Sequence, residues 1–209
     1  TYLGVDLSHD FKWNSHINRI AAKANKTLGF IKRNLYSCSQ KIKCMSYKTL
    51  VRPVLDFCSS VWDPHTKKCT DQLEAIQNRA ARFVSGVYGR ECSITAIKKN
   101  LNWESLQIRR KVDRLTNFHQ AVAGHLAVPV QNVLRPVERD SRHTSANISF
   151  KPIQASKDCY KYSFIPRTLR DWNALPDNIT NIKSKKAFKT AVNRHLQQLP
   201  LAKEEETKQ

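Results

Sequence analysis

Glycine is scarce, with five in 209 residues, and none has the spacing of a phosphate-cradling loop, which excludes nucleotide chemistry of that kind. No run of about 18 apolar residues is present to cross a bilayer as a helix. Nor does the N-terminus carry the basic, apolar and small-residue segments of a secretory leader. Six cysteines (Cys38, Cys44, Cys58, Cys69, Cys92, Cys159) are too dispersed for a disulfide scaffold. They read as reduced thiols on mostly apolar helical positions, in an intracellular protein of the nucleus or cytoplasm. Neither a membrane partner nor a small-molecule ligand is expected. The most telling shortage is of acids: 17 Asp+Glu stand against 36 Lys+Arg, a formal charge of +19. That imbalance predicts salt-sensitive binding to RNA or DNA.

Charge and apolarity are also sorted. Between Asp10 and Asp56 there are ten Lys/Arg residues and no acid. At about 100° per residue, Ile17, Ile20, Ala21, Ala24, Leu28, Ile31 and Leu35 fill one helical face, and Arg19, Lys23, Lys26 and Arg33 cluster within roughly 80° on the reverse. A solvated face normally interleaves acids to limit self-repulsion. This one does not, so it reads as a phosphate-contacting surface.

The periodicity predicts a mainly α fold: a helical bundle after a short N-terminal β segment, with a loop-rich C-terminal region that ends in helices. A strand-like Tyr2-Leu3-Gly4-Val5 comes first. A helix capped by Asn14 or Ser15 runs to about Asn34, and Ser37 to Gln40 breaks the pattern. The apolar run from Ile42 to Trp62 contains Pro53, which predicts a kink or split, and Asp63-Pro64 closes it. Asp71 to Glu74 has capping-box spacing for a helix ending near Gly86, with Arg79 and Arg82 outward. A short helix near Ser93 to Lys99 precedes a longer one from Glu104 to about Ala123, which Gly124 ends. Arg109, Arg110, Lys111 and Arg114 crowd it. Prolines and β-branched residues from His125 to Tyr162, including Arg139-Asp140-Ser141-Arg142, argue for loops and short extended pieces. Pro166 suits a first helical turn anchored by Trp172 and Leu175. A last amphipathic helix spans about Ser184 to Leu199, with Lys185, Lys186, Lys189 and Arg194 outward. The expected division is 1–12, 13–124, 125–200 and a disordered tail, 201–209. With Thr1 first and no initiator Met, the chain reads as a piece of something longer.

Catalytic constellations are wanting. Asp63 with His65, and Asp140 with His143, read as turn formers rather than catalysts. Cys58, His65 and Cys69 could supply three zinc ligands but lack a close Cys pair, and core thiols beside a turn histidine are the plainer reading. Trp13, Trp62, Trp103 and Trp172 read as core anchors. Tyr160 and Tyr162, interleaved with Lys157 and Lys161, are candidates for stacking on bases.

Tyr2-Leu3-Gly4-Val5, then Trp13, His16-Ile17, Lys23-Ala24-Asn25 and Leu28-Gly29, resembles the segment just beyond the catalytic core of reverse transcriptases from non-LTR (LINE-type, jockey-like) retrotransposons. Ser59-Ser60-Val61-Trp62, Leu73 to Arg82, Phe164-Ile165-Pro166-Arg167 and Trp172 to Pro176 are similar to later blocks of that family, in the same order. The resemblance runs from Tyr2 to about Leu199. It implies that Tyr2, Leu3 and Gly4 are the remnant of the hairpin that touches the primer end, and that the following helices form the thumb along the template–primer duplex. Arg19, Lys23, Lys26, Arg33, Arg79, Arg82, Arg109, Arg110 and Arg114 would then meet the sugar-phosphate backbone, reading shape and charge rather than base sequence. The family's Phe/Tyr-x-Asp-Asp turn and its earlier Asp, which hold two Mg2+ ions, do not occur here. They would lie upstream of Thr1, in the palm and fingers of the parent polymerase, so this chain alone neither polymerises nor needs a cofactor. It also departs from relatives with a C-terminal Cys/His zinc knuckle. The alternative is a freestanding, non-catalytic helical nucleic-acid-binding or host-adopted architectural protein. A self-contained nuclease is disfavoured by the missing site.

Overall fold

The computed structural model describes residues 1–89, 92–126, 130, 133–135 and 149–198. Arg139 to Arg142, His143, Leu199 and the tail 201–209 lie outside them. Every regular element among the described residues is helical. The expected N-terminal β remnant is instead a single tight turn. Tyr2 and Val5 exchange N–H···O bonds of 2.8 and 2.9 Å, with Leu3 at φ +44° and Gly4 at φ +83°, the backbone of a type I′ hairpin turn. A side chain at Gly4 would also press Phe57, 3.3 Å from the Cβ position.

The first core is built on helices α1 (Asn14–Asn34) and α5 (Lys67–Ser85). Both carry an apolar stripe at helical spacing: Ile17, Ala24, Leu28 and Ile31 on α1, and Leu73, Ile76, Ala80 and Val84 on α5, are all buried. The helices run parallel. Asn14 accepts from the Cys69 thiol (3.1 Å), Asn18 from Gln72 Nε2 (3.0 Å) and Asn25 from Arg79 Nη2 (2.7 Å), a constant register along both. The connection between them holds α2 (Gln40–Ser46), a π-helical turn (Tyr47–Val51), α3 (Arg52–Asp56) and α4 (Ser59–Trp62). Pro53 explains the π turn: it has no N–H and would clash with a carbonyl one turn back, and one extra residue relieves both. The split falls at Phe57-Cys58, where Cys58 takes φ +52°. Tyr47 from the π turn stacks on Trp103 at 4.3 Å, beside α6 (Ile94–Asn100).

Three local expectations give way. The position before α1 is Trp13, with no side-chain cap, because the Asn14 carboxamide is used across the helix pair. Helix α5 starts at Lys67, so Asp71 is interior. Glu74 instead accepts from the Gln107 N–H (3.1 Å) and Lys98 Nζ (3.3 Å), serving the first turn of α7 (Leu106–Val122). Ser105 caps that helix through the Ile108 N–H (3.1 Å).

Helix α7 is the axis of the molecule. Its first half closes the first core, and from Val112 onward it lies in a second one with α9 (Phe164–Asn173), α10 (Asp177–Thr180) and α11 (Lys185–Gln198). The two cores therefore meet along α7. Trp172 is the hub of the second core, with its ring 5.2 Å from Phe118 and 5.6 Å from Phe188. Tyr160 falls in a helical turn, α8 (Asp158–Lys161), rather than in an extended piece. Among the cysteines only Cys69 is buried, and Cys58, Cys92 and Cys159 are exposed free thiols.

Candidate nucleic-acid interface

Packing of the apolar stripe fixes what α1 shows to solvent. With Ile17, Ile20, Ala24 and Ile31 inside, the opposite face presents Arg19, Lys23, Lys26 and Arg33, all exposed. Lys23, Lys26 and Arg33 form no ion pair within the described residues. Phe30 stands on the same face, 57% exposed; the helical angle that places Lys23 outward would have found it. Arg79 borders this surface from α5 and is also exposed. Arg82 is half-buried, donating to the Gly89 carbonyl (3.3 Å).

Arg19 differs from its neighbours. Its Nε bonds the Asp6 carboxylate, and its Nη2 donates to the Gly4 carbonyl (2.7 Å). It clasps the N-terminal turn to α1, and Asp6 offsets its charge. The hydroxyl of Thr1 and the Arg19 guanidinium hold the Asp6 carboxyl below the usual carboxylate range. Tyr2 and Leu3 project from that turn, 67% and 76% exposed.

Two of the three arginines of α7 are not at a surface. Arg110 is 0% and Arg114 2% exposed, and both turn to Asp63: Arg110 Nε lies 2.8 Å from Oδ1, and Arg114 Nη1 2.6 Å from Oδ2. Arg167 from α9 completes the group, 3.3 Å from Oδ2 and donating to the Asp63 backbone carbonyl at 2.7 Å. Arg114 also reaches Asp171, which Lys111 pairs at 2.8 Å. Burial, then the Arg167 cation, weakens the hold of Arg114 on its proton, and Asp63 and Asp171 act in the other direction. Arg109 is half-buried, its Nη2 2.9 Å from Asp56 Oδ2. Burial disfavours its charge, but Asp56, joined by Asp113 and Glu104, outweighs this and raises its pKa. Arg110 and Arg114 are thus withdrawn from the candidate interface: a guanidinium enclosed by carboxylates cannot reach phosphate.

The potential zinc ligands do not converge. Cys58 and His65 are exposed, Cys69 is buried against Asn14, and among the described residues no three His, Cys, Asp or Glu side chains gather as a metal requires. No described helix is long and apolar enough to cross a membrane.

Two histidines are expected to make the fold acid-sensitive. His16 is buried with Nδ1 accepting from the Asp6 N–H (3.2 Å). Burial and then the Arg19 cation lower its pKa, against the opposing pull of Asp6. Desolvation of the covered side of its otherwise exposed ring, and then the Arg167 cation, lower that of His65. A folded pKa below the unfolded value near 6.5 means that the unfolded chain takes up protons first, so stability falls as pH drops through about 6.5 toward the folded value. The urea midpoint should be lower at pH 5.5 than at pH 7.5, and His16→Gln should flatten that difference.

No protein-family model, curated protein or solved structure matches this chain.

Proposed function

We propose that the chain is the template–primer-gripping part of a retrotransposon RNA-directed DNA polymerase, comprising the thumb and C-terminal region of a non-LTR reverse transcriptase. Its grip is the outer face of α1. The observation that carries this reading is that Lys23, Lys26 and Arg33 are exposed on one face without a described carboxylate to pair them. The ordered sequence blocks that resemble that family, from Tyr2 to about Leu199, support the same reading.

Lysine and arginine on a helix face meet phosphates along a groove and release counterions, an interaction indifferent to base sequence. Catalysis is assigned to upstream carboxylates of the parent polymerase and their Mg2+, and no chemical step is assigned to this chain. The exposed Tyr2-Leu3-Gly4 turn, fastened by Arg19, would stand where the primer end enters.

The test is binding of the whole chain to RNA–DNA heteroduplexes of unrelated sequence. Affinities should agree within about threefold across sequences and fall by at least tenfold between 50 and 200 mM salt. No binding at 50 mM salt, or binding that depends on one sequence, would overturn the proposal.

A further inference from the structure

A cleft of about 300 Å³ opens at the N-terminal end of α1, between the approach to that helix, the turn that follows α4, and α8. It is lined with aromatic rings from three separate stretches of chain. Phe11 and Trp13 come from the approach to α1, and His65 from the turn lies flat on Tyr162, with centroids 4.1 Å apart and planes 4° from parallel.

The approach segment is held open. Phe11 is 60% exposed at φ +53°, a left-handed backbone that is unfavourable for an aromatic residue. The Ser8 hydroxyl lies 2.6 Å from Asp10 Oδ1 and 2.7 Å from the Lys12 carbonyl oxygen, and the Lys12 N–H donates to Asp10 Oδ1 (3.1 Å). This clamp keeps a large ring in water at the mouth of a cleft, rather than folded into it.

Polar groups are available beside the rings. The Asp158 carboxylate and the Thr66 hydroxyl line the cleft and make no hydrogen bond within the described residues. Lys157 and Lys161, exposed at either end of α8, can meet phosphate. Desolvation of its covered side and the Arg167 cation favour the neutral imidazole of His65, so its ring offers an uncharged face.

We infer that the cleft receives one unpaired nucleobase of the bound nucleic acid, stacked on Phe11 and His65, with Asp158 accepting from an amino or imino N–H of the base. This rests on the nucleic-acid reading above and adds a second contact of a different kind. Ring faces bind any base, and a carboxylate acceptor favours those with donors on their edge. The volume is at the small end for ligand sites, which limits the occupant to a single nucleotide.

The test uses the whole chain with a blunt RNA–DNA heteroduplex and with the same duplex carrying a short single-stranded overhang that contains 2-aminopurine. The overhang should tighten binding about tenfold, within the roughly 5- to 150-fold range of single base–aromatic stacks, and the probe's fluorescence should fall on binding. The double variant Phe11→Ala/His65→Ala should lose that gain and keep its affinity for the blunt duplex, while Phe11→Tyr should retain both. Both residues are exposed, and an unchanged urea midpoint at pH 7.5 would verify that the double variant is folded. An overhang that adds nothing, or a gain that survives in the double variant, overturns the cleft assignment and leaves the grip standing. Equal losses on both probes also overturn it. Failure to bind the blunt duplex overturns the grip reading and the cleft with it.

Discussion

Asp63→Asn is expected to lower the free energy of unfolding by about 3–5 kcal/mol. Three guanidinium groups converge on this carboxylate: Arg110 at 2.8 Å, Arg114 at 2.6 Å and Arg167 at 3.3 Å. Arg110 has no exposed surface, and its Nη1 and Nη2 have no hydrogen-bond partner among the described residues, so Asp63 carries most of its compensation. The amide keeps the shape and removes the charge. What remains is a set of like charges in a region of low dielectric, where repulsion is strong and salt screens poorly. The loss should reach both cores, because Asp63 follows α4, Arg110 and Arg114 stand on α7, and Arg167 stands on α9. Asp171→Asn should cost less, about 1–2 kcal/mol, since Asp171 is partly exposed and Arg114 retains Asp63. Urea unfolding at pH 7.5 measures both. A loss below about 1 kcal/mol for Asp63→Asn would mean that the cluster behaves as an ordinary surface ion pair.

The second large effect belongs to binding. Replacing Lys23, Lys26 and Arg33 together by Ala should weaken heteroduplex affinity by about 10²–10³-fold at 0.1 M salt, with each lost phosphate contact removing nearly one decade of counterion-release stabilisation. Stability should change by less than about 0.5 kcal/mol, because none of the three is buried or is ion-paired among the described residues. Arg19→Ala makes the contrast. With its donors on Asp6 and the Gly4 carbonyl, that change should loosen the N-terminal turn and affect binding far less.

The difference between α1 and α7 shows where sequence reading succeeds. On α1 the apolar residues occupy a single stripe, so the reverse is necessarily exposed, and Arg19, Lys23, Lys26 and Arg33 follow from the angle alone. On α7 the same reasoning sends Arg110 and Arg114 to solvent. That helix has neighbours on nearly every side, with Leu106, Val112, Leu115, Phe118 and Ala121 all buried. A helix so enclosed would ordinarily be apolar all round. Here two positions are arginines made tolerable by Asp63, 47 and 51 residues away in sequence. Such a distant partner leaves no periodic signal.

Elsewhere the legible features were those set by backbone chemistry. Gly86 and Gly124 end α5 and α7 at positive φ, Asp63-Pro64 closes α4, and Pro53 disturbs its helix as a missing donor must. The side-chain uses that tertiary contacts decide were not legible. Glu74 fits a capping box yet serves a different helix, and Asn14 fits a cap yet bridges to Cys69. The cleft at Phe11 and His65 was invisible for a similar reason: its rings come from segments about 50 and 100 residues apart, and only Tyr162 stood out as an aromatic among lysines.

The most direct measurement of the central claim is the salt dependence of heteroduplex binding by the wild-type chain and by the Lys23→Ala/Lys26→Ala/Arg33→Ala variant. Plotted as log affinity against log salt concentration, the variant's slope should be shallower by about 2–3, near 0.9 for each phosphate contact removed. Superimposable slopes would contradict the account, because they would place the chain's nucleic-acid contacts somewhere other than the outer face of α1.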